Sequence, residues 1–89
     1  MPRTHNIKIQ EQFAGDVCNG NKSFEVRLND RQYQKGDYIK YQVVDEIGNM
    51  VKHPLNDKWY IITYVLSGWG LKDGYVAFAQ KEFDVESRC

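Results

Sequence analysis

Apolar and polar side chains alternate with a period of two in several short segments of this 89-residue chain, the spacing typical of β-strands. Four segments predict strands: 5–9, 23–29, 38–46 and 75–83. A fifth and longer segment, 58–68, also predicts a strand and has apolar side chains at both parities. So many short strands in one chain predict a mainly β fold rather than a helical one.

The period changes to helical spacing once, in "QEQFAGDVCNGN". Phe13, Ala14, Val17 and Cys18 form one helical stripe there, which predicts a helix near residues 10–19 with Gly20 as the residue that ends it. A chain of this length forms one domain, here residues 1–89. Closing so small a sheet removes its unpaired edges. We therefore expect an α+β fold, mainly β: a small, mostly antiparallel barrel of five or six strands with one or two short helices packed on it.

In the apolar segment 58–68, Trp59, Ile61 and Val65 share one parity, and Tyr60, Ile62 and Leu66 share the other. A strand that is apolar on both faces is typical of a barrel wall covered on both sides. The pattern predicts Trp59 in the core.

Charge and composition exclude several classes of function. Twelve basic and twelve acidic side chains balance, whereas a long non-specific nucleic-acid footprint needs a basic excess. No apolar run approaches the roughly 20 residues that span a bilayer, and the N-terminus has no signal-peptide pattern. The two cysteines, Cys18 and Cys89, have no zinc-ligand spacing, and we expect Cys18 in the core and no disulfide to the terminal Cys89. We expect a cytoplasmic protein with no metal and no cofactor.

The stretch "GNKSFEVR" (residues 20–27) mixes three charges into a strand. Alternation predicts that Phe24, Val26 and Leu28 face the core, and that Glu25 and Arg27 face the other way, beside Lys22 in the preceding turn. One interpretation is a salt bridge that ties the strand to its neighbour. The other is a ligand site, because a guanidinium oriented by a carboxylate binds phosphate or a base edge with two hydrogen bonds.

Gly20-x-Lys22-x-x-Glu25-x-Arg27 matches the G-x-K-x-x-E-x-R signature of the ASCH domain, a branch of the PUA-like superfamily. The blocks "THNIKI", "FEVRLNDR", "KGDYI" and "GLKDGYVAF" also resemble a small ASCH-related family of bacteria and their phages. The resemblance implies a PUA-like barrel with a cleft beside the motif, lined by Lys22, Glu25 and Arg27. It also implies a partner that is RNA or a nucleoside-like small molecule.

Some proteins that this chain resembles are amidohydrolases that remove the acyl group of N4-acylated cytidine. Those members carry a threonine where this chain has Glu25, so their hydroxyl nucleophile is missing here. We therefore expect a binding module for RNA or a nucleotide. In the alternative, a hydrolase, Lys22 is the base and Glu25 orients it or activates water. A third hypothesis is that the protein is a phage or bacterial regulator that binds another protein.

Two further residues are candidate ligand contacts. Arg31 follows the charged strand closely and adds a cation beside Arg27. Trp69, between Gly68 and Gly70, can stack on a base or can fold over the barrel mouth as a lid. His5 shares parity with Ile7 and Ile9, and we expect it to be a hydrogen-bonded histidine at the barrel end rather than a general base.

Overall fold

A computed structural model of the chain describes residues 2–83. Within that range it has five strands, one α-helix and one 3₁₀-helix. The strands are β1 (Thr4–Gln10), β2 (Phe24–Leu28), β3 (Tyr38–Val44), β4 (Trp59–Ser67) and β5 (Tyr75–Phe83). The α-helix, α1, spans Glu11–Cys18, and the 3₁₀-helix spans Pro54–Asp57. No helix in residues 2–83 is both long enough and apolar enough to cross a membrane.

All five strands form one sheet in the order β1-β3-β4-β5-β2. β1 pairs with β3 in parallel, and the other three neighbouring pairs are antiparallel. The sheet curls into a half-barrel, with β1 and β2 as its two edges. The expectation of a small, mainly β fold with a short helix is confirmed, while the sheet stays open between β1 and β2 in the part of the chain that the structure describes.

The core fills the concave face of the sheet. Every strand except β2 contributes apolar side chains to it, and α1 adds Ala14 and Val17. The largest fully buried side chains include Tyr41, Ile39, Ile62 and Phe78. The helix thus packs on the concave face, where the Tyr60 hydroxyl donates a hydrogen bond to the Val17 carbonyl at 3.3 Å.

The predicted orientation of β2 is wrong. Phe24, Val26 and Leu28 are each about half exposed, and Glu25 is only 4% exposed on the concave side. No helix or second sheet covers the outer face of this edge strand. Its side chains are therefore buried only on the face that the curl of the sheet turns inward. Here the inward face carries charges that neutralise one another, which lowers the free-energy cost of burying them.

The expectation that β4 is covered on both faces is also wrong. A β-bulge lies between Ile62 and Tyr64, where the register with β5 shifts by one residue. The bulge moves Val65 to the concave face that Tyr60 and Ile62 occupy. On the outer face Tyr64 is 61% exposed, and Trp59 is half-buried against Tyr38 and Lys40 rather than in the core. The sequence does not reveal this register shift, because a segment that is apolar at both parities predicts burial of either face.

The predicted helix and its end are confirmed. α1 begins directly after β1 and is followed by Asn19 as its C-cap and by Gly20, whose φ is +87°. The Gly20 amide donates to the Val17 carbonyl, and the Lys22 amide donates to the Asp16 carbonyl at 2.9 Å. These bonds fix the backbone of Lys22 against the helix, so the turn positions the first residue of the charged cluster.

Candidate functional site

Lys22, Glu25 and Arg27 form one cluster at the concave side of β2. The Glu25 carboxylate accepts hydrogen bonds from Nε and Nη2 of Arg27 at 3.1 and 3.0 Å, and its other oxygen pairs with the Lys22 ammonium. Lys22 also donates to the Phe24 carbonyl at 2.9 Å and lies over the Phe24 ring. The predicted proximity of the three charged groups is confirmed. The cluster is a salt bridge that borders an open cleft, so it is compatible both with a structural role and with a ligand site.

The two cations of the cluster remain partly accessible. About a quarter of the Arg27 side chain and a fifth of the Lys22 side chain reach solvent, whereas Glu25 is nearly covered. Burial lowers the pKa of Lys22, and the charge of Arg27 lowers it further, while Asp16 opposes the shift. The ammonium thus loses its proton more readily than an exposed lysine.

Arginine side chains bridge the open edge of the half-barrel. Nη2 of Arg27 donates to the Lys8 carbonyl of β1 at 2.9 Å, and Nη1 of Arg31 donates to the Asn6 carbonyl at the same distance. Arg3 in turn donates to the Arg31 carbonyl. Side chains therefore replace the backbone ladder between β1 and β2. Arg31, a predicted ligand contact, is used here to hold the loop after β2 to β1.

A cleft of about 500 Å³ lies along this edge, between β1 and α1 on one side and β2 on the other. Three cations line it: Lys8, Lys22 and Arg27. Apolar side chains of β2 and two further aromatic rings, Phe13 and Tyr75, complete its walls. Phe13 is 44% exposed and Phe24 50% exposed, so two aromatic rings stand open to solvent beside the cations. Cations next to exposed rings suit a ligand that has both a phosphate and a planar base.

Trp69 is not among the residues that line this cleft. It is 90% exposed in the loop between β4 and β5. Trp69 has φ +52°, between Gly68 at +72° and Gly70 at +90°, so three successive residues adopt a left-handed backbone. The ring therefore projects into solvent and does not cover the barrel mouth.

Sequence reasoning missed several residues of the site. Lys8 and Phe13 reach the cleft because β1 and α1 border the edge that β2 faces, a neighbourhood that only the strand order creates. The exposed position of Phe24 was missed because alternation alone does not say which face of β2 turns inward. Phe13 was predicted as part of the apolar stripe of the helix. Its position at the border of that stripe was the one sign in the sequence that its ring could be exposed.

His5 is a hydrogen-bonded histidine, as expected. It is 4% exposed, its Nε2 donates to Asp37 at 2.8 Å, and its ring packs on Tyr33. Burial opposes ionisation of Asp37, but hydrogen bonds from His5 and from the backbone amides of Arg3 and Gln34 outweigh it and lower its pKa. This pair ties β1 to the start of β3 and takes no part in the cleft.

Cys18 is half-buried against the core rather than fully enclosed, and Cys89 falls outside residues 2–83. Within that range no group of three or more histidine, cysteine, aspartate or glutamate side chains could hold a metal ion.

The fold and the cleft define a class: a small half-barrel α+β domain with a cation- and aromatic-lined cleft at its open edge. The chain belongs to the family described as a domain of unknown function, DUF3850, whose model matches residues 4–79. A search of curated proteins gives no match.

Proposed function

We propose that this protein binds a nucleotide-like ligand, either RNA or a free nucleotide, in the cleft between β1–α1 and β2. The observation that carries the proposal is the placement of three partly accessible cations beside two open phenylalanine rings. Phosphate groups pair with lysine and arginine, and bases stack on aromatic rings. The G-x-K-x-x-E-x-R motif, which resembles that of ASCH and PUA-like domains of bacteria and phages, supports the same ligand class and a cytoplasmic place of action.

The charges of the cleft favour a short contact over a long one. Lys8, Lys22 and Arg27 lie within one cleft, and the whole chain has no net charge. Two or three phosphate contacts give a salt dependence of log Kobs on log salt of about −1.4 to −2.1 for single strands. An RNA that tracked a continuous basic groove would give a much steeper slope.

The test is binding of oligouridine and of nucleoside monophosphates to the parent and to single lysine variants, at two salt concentrations. Lys8→Ala is the most informative change, because Lys8 is exposed and lines the cleft. Lys8→Ala and Lys22→Ala should each weaken binding about fivefold, the loss of one charge-assisted contact worth about 1 kcal/mol. Lys52→Ala, which removes an exposed lysine outside the cleft, should bind like the parent.

Thermal melting of the same variants separates a binding role from a structural one. Lys8→Ala should melt like the parent, because its side chain only lines the cleft. If Lys8→Ala and Lys22→Ala bind all probes as the parent does, while Lys22→Ala melts much earlier, the cluster is only a salt bridge and the binding proposal fails.

The second candidate function is hydrolysis of an N4-acylated cytidine. The observation that favours it is the lowered pKa of Lys22, since a lysine that loses its proton more readily is a better general base. The ion pair with Glu25 opposes it by favouring the ammonium form. Turnover by the parent that is lost in Lys22→Met and Glu25→Gln would support hydrolysis, and a parent rate equal to that of buffer would exclude it.

A further inference from the structure

Gln80 of β5 has a buried hydrogen-bond donor without an acceptor. Its side chain lies on the concave face, the residue is 6% exposed, and Nε2 has no partner among residues 2–83. A buried amide without a hydrogen bond costs free energy, so such donors are rare in folded proteins and each one calls for an explanation.

Tyr41 fixes which end of the amide is unpaired. Its hydroxyl lies 2.5 Å from Oε1 of Gln80, a distance typical of O–H···O bonds and short for an N–H···O bond. Burial raises the pKa of Tyr41, so the hydroxyl keeps its proton and remains the donor of that bond. The side-chain carbonyl of Gln80 therefore accepts a hydrogen bond from Tyr41, and the side-chain NH₂ group is the part without a partner.

Gln80, the residue that carries the unpaired donor, also lines a second cavity. This cavity, of about 320 Å³, lies under the turn between α1 and β2 and is lined by Gln80, Lys22, Ser23 and Tyr60 among others. The Gln80 backbone amide donates to the Ser23 carbonyl at 3.0 Å, which places Gln80 directly across from the turn that carries Lys22. Lys22 lines both this cavity and the main cleft, so the two sites share its side chain.

We propose that this second cavity receives a carbonyl group of the ligand, whose oxygen accepts the Nε2 hydrogen of Gln80. The proposal rests on the proposed function, because the same ligand extends past Lys22 and leaves its phosphate with the cations of the main cleft. Uracil, cytosine and guanine have a ring carbonyl and adenine has none. The chemistry of Gln80 therefore selects carbonyl-bearing bases over adenine.

The test is titration of the ¹⁵N-labelled protein with uridine monophosphate, adenosine monophosphate and free uracil, followed by the backbone and side-chain amide signals. Uridine monophosphate should bind at least about tenfold more tightly than adenosine monophosphate, as for one matched hydrogen bond. Uridine monophosphate and uracil should both shift the side-chain NH₂ signals of Gln80, which are assigned by their loss in Gln80→Glu.

Gln80→Glu should abolish the preference, because it places a carboxylate oxygen where the donor was and keeps the size and the Tyr41 contact. Gln12→Glu makes the same change at an exposed glutamine and should keep the preference. Tyr41→Phe is a second variant without a new charge, and it should reduce the preference by freeing the amide to rotate. Melting curves verify that each variant is folded.

The outcomes distinguish the two proposals. Equal affinity for the two nucleotides overturns the role of Gln80. A preference for uridine monophosphate that persists in both Gln80→Glu and Tyr41→Phe also overturns it, because the preference then comes from ring size. Either result leaves the cleft as a nucleotide site. Uracil binding at Gln80 with no contribution from the phosphate or from Lys8 supports the Gln80 site and overturns the anion-binding cleft. No binding of any of the three probes overturns both.

Discussion

At the scale of single residues, two acidic side chains are buried within residues 2–83, Glu25 and Asp37, and both have hydrogen-bond partners. Glu25 lies between two cations, and Asp37 accepts three hydrogen bonds, from the His5 ring and two backbone amides. The sequence signalled Glu25 through its motif. It gave no sign of Asp37, because Asp37 follows a glycine in a polar loop that reads as solvent-exposed. Its burial depends on β1 coming alongside β3.

Asp37→Asn should lower the free energy of unfolding by about 1 to 3 kcal/mol at neutral pH, since the amide cannot accept the same three bonds. The pKa of Asp37 is lowered in the folded protein, so its contribution is complete above its unfolded pKa of about 3.9 and is lost as pH falls through the folded value. The difference between parent and variant in urea unfolding should therefore shrink below about pH 4. Asp73→Asn, at an exposed aspartate, should show little difference at any of these pH values.

At the scale of elements, the turn from α1 into β2 decides where Lys22 points. Two glycines five residues apart, Gly15 and Gly20, differ in the backbone conformation that each adopts. Gly20 has φ +87° after the helix, whereas Gly15 lies inside the helix. An added Cβ would meet no atom within 4 Å at either position, so only backbone conformation separates them.

Gly20→Ala should destabilise the protein by about 1 to 2 kcal/mol, the cost of a left-handed backbone for a residue with a Cβ. Gly15→Ala should stabilise it by about 0.5 to 1 kcal/mol, because alanine loses less backbone entropy in a helix. Thermal or urea unfolding of the two variants measures both signs. A loss of stability in Gly15→Ala as large as that in Gly20→Ala would contradict the assignment of these two backbone conformations.

At the scale of the whole molecule, the open edge between β1 and β2 distinguishes a half-barrel from a closed barrel. In β2 the hydrogen-bonded pairs with β5 fall on odd-numbered residues, as the bonds of Ser23 with Gln80 and of Asn29 with Gly74 define. The backbone groups of Phe24, Val26 and Leu28 therefore point to the free edge. That edge borders the cleft.

Amide hydrogen exchange should detect this open edge directly. The Val26 amide should exchange much faster than those of Glu25 and Arg27, which donate into β5, and the central strands β3 and β4 should be the slowest. A nucleotide bound in the cleft should slow the exchange of Val26. Protection of Val26 equal to that of its two neighbours in the free protein would indicate a closed barrel.

The sequence by itself determined the elements. Alternating segments, one segment apolar at both parities and one change of period were enough to predict five strands, a helix followed by Gly20 and the proximity of Lys22, Glu25 and Arg27. Each of these features depends on residues close together in the chain. Only the tertiary structure decided which face of β2 turns inward, where β4 bulges and which residues of β1 and α1 border the cleft. Those features depend on contacts between distant segments, and a strand at the edge of a curled sheet has no local preference for either face. The charged face of β2 went inward because its carboxylate and two cations satisfy one another there and Arg27 reaches the free carbonyl of Lys8.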